Sequence, residues 1–160
     1  MALRAEPRVV AAYADRAAAL RWEDAATSSI EHALDARWDE GLAARYGQLP
    51  VERIEHREAT ARRWLQQHPG SPALLLALAR LALRRGDWPE AEALLQRALD
   101  QGAGPDAWET LGDGLAAAGD DGRARIAYAN ALRMQRGEPV TPLGGRPGPA
   151  AHPDPALQTP

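Results

Sequence analysis

Eight positions of this chain recur after a constant step. Leu75, Leu78, Ala79, Ala82, Gly86, Ala91, Leu95 and Ala98 are answered 33 residues later by Trp108, Leu111, Gly112, Leu115, Gly119, Ala124, Tyr128 and Ala131. A period of this size, with apolar and small residues spaced at helical intervals, is the signature of a helical repeat array. Each unit of such an array buries its apolar side only against its neighbours, so the chain extends surfaces rather than closing round a pocket.

The pattern continues upstream. Pro7, Val10, Tyr13, Ala14, Ala17, Ala26, Ile30 and Ala33 fit the same template, with Pro7 in the place held later by Pro72 and Pro105. Proline suits the first turn of a helix, where its missing N–H would be unpaired anyway. Between Arg37 and Pro69 the pattern weakens: Asp39 to Tyr46 reads as a short helix closed by Gly47, and Val51 to Gln67 as a longer one. In the longer helix Ile54, Arg57, Ala61, Trp64 and Leu65 share a face. Ser71 is placed to cap the helix that begins at Pro72. The expected helices span 7–20, 23–36, 39–46, 51–67, 72–85, 88–101, 105–118 and 121–136. They make an all-α fold of about four antiparallel helix pairs, the second irregular. Ala14, Ala79 and Gly112 on the first helices, and Ala26, Ala91 and Ala124 on the second, are small where the two helices of a pair cross.

Two domains are expected: a helical repeat domain over 1–136 and a flexible tail over 137–160. The tail holds seven prolines and four glycines in 24 residues and has too little apolar surface to offset the entropy of ordering.

Composition narrows the function. The net charge is -3, which gives no electrostatic case for nucleic acid. Without cysteine there is no disulfide, thiolate nucleophile or thiolate metal site. The most apolar run, Leu74 to Leu83, is interrupted by Arg80 and is far short of the ~18 apolar residues of a membrane span. The first ten residues lack the apolar middle of a signal peptide. The chain is expected to be soluble as written.

No catalytic constellation emerges. His32, His56, His68 and His152 show no paired metal-ligand spacing, so no metal site is expected. For His32 and His56 a solvated helix-face histidine is the plainer reading; His68 is better placed to end its helix before Pro69. Gly112, Asp113, Gly114 and Gly119 imitate a phosphate loop without its Lys-Ser/Thr ending or a preceding strand. Gly112 belongs to the helix crossing and Gly119 to a turn, whereas Gly114 has no evident reason and should cost its helix ~1 kcal/mol relative to alanine. No enzyme activity and no cofactor are expected.

The spacing of Trp, Leu, Gly, Ala, aromatic and Ala resembles the tetratricopeptide repeat, over about Val9 to Arg136. Leu34 to Trp38, Leu42, Tyr46 to Leu49 and Arg63 to Leu81 resemble the HemY-type tetratricopeptide proteins of proteobacteria. That resemblance implies a right-handed superhelical array serving haem (protohaem) biosynthesis at the bacterial inner membrane. It also implies a membrane anchor that this chain lacks, so the chain would be the soluble C-terminal part. The family brings no catalytic residues to transfer. A generic adaptor in secretion or cell-envelope assembly is the alternative, and a haem or porphyrin carrier the more distant one.

In arrays of this kind the first helix of each pair lines a concave face. The positions turned into it are Arg8, Ala11 and Asp15 in the first unit, Leu76, Arg80, Leu83 and Arg84 in the third, and Glu109 and Asp113 in the fourth. Arg80 and Arg84, four residues apart on one helix face, can hold a carboxylate through charge-assisted hydrogen bonds, with Leu76 and Leu83 as an apolar floor. The plainer reading is a solvated face on which these arginines pair with Glu109 or Asp113. The expected partner is a protein, with haem-biosynthesis enzymes as candidates.

Overall fold

The computed structural model describes residues 6–19, 23–50 and 53–145. Among them are eight helices and no strand: α1 Pro7–Ala19, α2 Glu23–Ala36, α3 Glu40–Gln48, α4 Ile54–Gln67, α5 Pro72–Arg84, α6 Trp88–Asp100, α7 Pro105–Ala117 and α8 Asp121–Gln135. The fourth helix begins at Ile54, later than the expected 51, because Arg53 is not helical; the expected end of the first helix at Leu20, the side chain of Ala17, Val51 and residues 146–160, His152 included, lie outside the described residues.

The helices stack in series. α1 packs on α2, α5 on α6 and α7 on α8; α2 meets α3, α4 meets α5, and α6 meets α7. The first helices also touch one another, α1 with α3, α3 with α5 and α5 with α7, so they share one face of the array. Ala14, Ala79, Gly112, Ala26, Ala91 and Ala124 are all buried, as their small size at the crossings requires.

The starts and stops follow local chemistry. Asp39, Ser71, Asp87 and Asp120 each accept a hydrogen bond from an N–H in the first turn of α3, α5, α6 and α8, which satisfies a donor the helix cannot. The last four helices all end on a glycine with positive φ: Gly86, Gly102, Gly119 and Gly137. In each, the next N–H returns to a carbonyl five residues back, as in Ala103 to Ala98 at 2.9 Å, the Schellman closure that favours glycine.

The second pair departs from this pattern for identifiable reasons. α3 has 9 residues where α5 and α7 have 13. It stops because Leu49 precedes Pro50 and adopts an extended ψ of 146°, the region that a following proline enforces. Gly47 does not close α3, contrary to the expectation. It lies within the helix, where a Cβ would come within 2.9 Å of the Ala77 Cβ on α5; its small size serves the approach of α3 to α5.

α4 carries the matching change. At its fourth, eighth and eleventh positions stand Arg57, Ala61 and Trp64, where α6 has Ala91, Leu95 and Ala98 and α8 has Ala124, Tyr128 and Ala131. Large and small are exchanged, and the backbones of α3 and α4 stand apart. The indole of Trp64 packs edge-on against Tyr46, with ring centroids 5.0 Å apart, and against Trp38 at 5.9 Å. Its Nε1 donates to Asp35 at 2.8 Å. His68, whose N–H bonds to the Trp64 carbonyl at the end of α4, stacks its ring on Trp38 at 4.1 Å.

The second helices are joined by ion pairs in sequence: Asp24 of α2 with Arg53 just before α4, Asp35–Arg63 between α2 and α4, Arg62–Glu90 between α4 and α6, and Glu92–Arg123 between α6 and α8. The exposed pairs Asp24–Arg53 and Asp35–Arg63 contribute ~0–1 kcal/mol each.

The segment expected as a tail is tied down at one point. Buried Asn130 donates to the Thr141 carbonyl and accepts from the Thr141 N–H, both at 2.7 Å. Arg133 donates to the Thr141 hydroxyl at 2.8 Å, and Leu143 packs against the core.

Candidate functional site

The truncation of α3 opens a cleft. It has a volume of about 660 Å³ and is bounded by the end of α3 and Pro50, by α5, and by α7. Leu49, Pro50, Ala77, Leu81 and Leu83 supply apolar wall; Arg57, Arg80, Arg84, Thr110 and Asp113 supply the polar groups.

Arg57 builds the closed end. Its guanidinium donates to the carbonyls of Tyr46 at 2.8 Å, Leu49 at 3.3 Å and Pro50 at 3.1 Å, and to the Thr27 hydroxyl at 3.1 Å. These include carbonyls that another turn of α3 would have satisfied. A cation at a helix C-terminus is also favoured by the macrodipole. The guanidinium lies 4.5 Å from the Tyr46 ring centroid, within cation–π range. The Tyr46 hydroxyl donates to Glu31 at 2.7 Å, and burial, with the Glu31 carboxylate next, raises the phenol's pKa and keeps it protonated.

Four of the nine residues expected on the concave face meet in this cleft: Arg80, Leu83, Arg84 and Asp113. Arg80 has no hydrogen-bonding or charged partner among the described residues. Neither Glu109 nor Asp113 pairs with it. Asp113 instead accepts from the Tyr128 hydroxyl at 2.6 Å, which raises the pKa of that phenol. Glu109 is exposed outside the cleft lining, and Leu76 is half-buried against the core.

Arg8 and Ala11 fall in a second cleft of about 630 Å³ between α1 and α3, with Asp39 and Arg45. Asp15 forms an ion pair with Arg45 at 2.8 Å. These residues thus fall into two hollows in sequence along the first helices. Gln48, Leu49, Pro50, Arg57 and Thr110 were not among the expected site residues. The usable signal was Arg57 in a position where the other second helices carry alanine.

His56 lies 3.0 Å from Glu31, and His32 is exposed. Among the described residues no group of His, Asp and Glu side chains is arranged to hold a metal ion, and no helix is long and apolar enough to cross a membrane.

Residues 59–112, from α4 into α7, match the family model of the tetratricopeptide repeat. A comparison with curated proteins finds no match. The family match and the serial stacking of helix pairs together support a tetratricopeptide-type protein with the helical repeat architecture of interaction modules.

Proposed function

We propose that this chain is a non-catalytic interaction module that takes an acidic segment of a protein partner into the cleft between α3, α5 and α7. The observation that carries the reading is Arg80. It projects into an open, partly apolar hollow without an acidic partner, while arginines on the second helices are matched to carboxylates across successive units. Arg84 stands one turn on along the same helix, so a carboxylate and the apolar residue beside it could be engaged together. The preformed surface would spare the partner much of the ordering cost of binding.

Selection of a random-peptide display library on the protein tests this. Selected sequences should be acidic with interspersed apolar residues, and Arg80→Glu with Arg84→Glu should weaken the best of them by about tenfold or more. Selected peptides without acidic residues, or binding untouched by the double reversal, would refute it.

We further infer that the partner belongs to haem biosynthesis and that the module works beside the bacterial inner membrane. The support is the resemblance of Leu34 to Leu49 and Arg63 to Leu81 to HemY-type proteins. Co-purification with porphyrin-pathway enzymes is the expected result. Co-purification with secretion or envelope-assembly components instead would replace it with the general adaptor reading.

A further inference from the structure

Among the described residues, the first and last helices expose residues whose counterparts in the helices between them are hidden. In α7, which lies against α6, Ala107 and Leu111 are 0% and 1% exposed, and their counterparts in α5, Leu74 and Leu78, are 0% and 2% exposed. The same repeat positions in α1 are Val9 and Tyr13, which are 44% and 52% exposed. They sit four residues apart on one face and flank a cleft lined by Val9, Val10, Tyr13 and Ser29.

α8 shows the reciprocal situation. In α6, Leu95 is fully buried and Leu99 packs on the core, with α7 alongside. Their counterparts in α8 are Tyr128 and Leu132, which are 38% and 52% exposed. Leucine, tyrosine and valine in adjoining turns make a contiguous apolar strip at each end, and such strips mark contact surfaces.

We propose that these ends dock on each other between two copies of the chain: α8 of one copy receives α1 of the next, in the relation that α6 has to α7 within each copy. The occupant is identified by the repeat itself. The interior junction shows which helix covers a surface of the α8 type, and α1 carries the covering residues in the same register. The contact is heterologous, so it joins chains head to tail and leaves a free end of each kind after every addition.

Sedimentation velocity across a concentration series tests the proposal. Wild-type protein should grow in mean mass with concentration, without stopping at a dimer. Tyr13→Glu and Leu132→Glu should each be monomeric, with unchanged helical circular dichroism because both sites are exposed. Val9→Glu replaces Tyr13→Glu if that variant loses its helical signal. The decisive step is mixing. The Tyr13→Glu chain keeps its α8 end and the Leu132→Glu chain keeps its α1 end, so an equimolar mixture should form a 1:1 dimer and go no further.

Wild type remaining monomeric to about 1 mM would overturn the proposal. So would either single variant dimerising alone, which would mean a symmetric contact. Arg80→Glu with Arg84→Glu should leave the association unchanged, which separates this surface from the cleft.

Discussion

Gly114 shows how one atom can decide a helix. A Cβ built there would lie 2.2 Å from Cζ3 of Trp88, whose indole is half-buried. The glycine forfeits ~1 kcal/mol of helix propensity, and overpacking typically costs ~1–3 kcal/mol, so the packing term wins. Gly114→Ala should lower stability by a net of up to about 2 kcal/mol in urea unfolding, and adding Trp88→Leu should recover part of the loss. A more stable alanine variant would refute the account. At Gly112 the neighbour is the Tyr128 ring, 2.7 Å from the built Cβ; that ring is partly exposed and can swing aside, so Gly112→Ala should cost less. Asp35 adds a pH dependence. The hydrogen bond from Trp64, with help from Arg63, lowers its pKa in the folded state. The stabilisation is therefore present above the ordinary carboxylate range and is lost as pH falls through the lowered value. Because Asp35 is exposed, the effect is small, about 0.5 kcal/mol. Urea unfolding at pH 7 and pH 3 should show Asp35→Asn with a smaller difference than wild type.

At the scale of the element, the exchange of large and small residues in α4 makes the second pair what it is. Arg57 stands in for the missing turn of α3. Arg57→Ala should cost about 2–4 kcal/mol, since it leaves several carbonyls short of donors in a buried place. Arg57→Lys should recover little, because an ammonium cannot span carbonyls that a planar fork reaches. Equilibrium unfolding checks both. The regular units were legible because proline at the start, small residues at the crossings and glycine at the end all agree in Pro72 to Gly137. The second unit was legible as irregular, but its reason was not. Reading it needs the knowledge that Leu49–Pro50 cuts α3 short and that a cation on the first turn of the next helix folds back to fill the space. Gly47 was misread for the same cause: glycine near the end of a short helix looks like a stop, and only the approach to Ala77 shows otherwise. The tie at Thr141 was illegible because a single buried asparagine makes it amid prolines and glycines. Asn130→Ala should abolish the slow hydrogen exchange of the Thr141 amide.

At the scale of the whole molecule, the serial arrangement means that no residue touches more than its neighbouring units, and stability is a sum of local junctions. Leu78→Ala, in the buried side of α5, should therefore cost roughly 2–5 kcal/mol and loosen the flanking units first in hydrogen exchange. The shared side of the first helices was legible as a row of positions. Its division into two hollows was not, because that depends on how far α3 extends and on the Asp15–Arg45 pair across units. The central claim is that the first helices present a basic, partly apolar hollow to an acidic guest. An amide-resolved NMR titration with an acidic peptide from the display selection tests it most directly. The account predicts shifts concentrated at Gln48, Leu49, Ala77, Arg80, Arg84 and Thr110, with the second helices unmoved. Shifts centred instead on α4, α6 and α8 would contradict it.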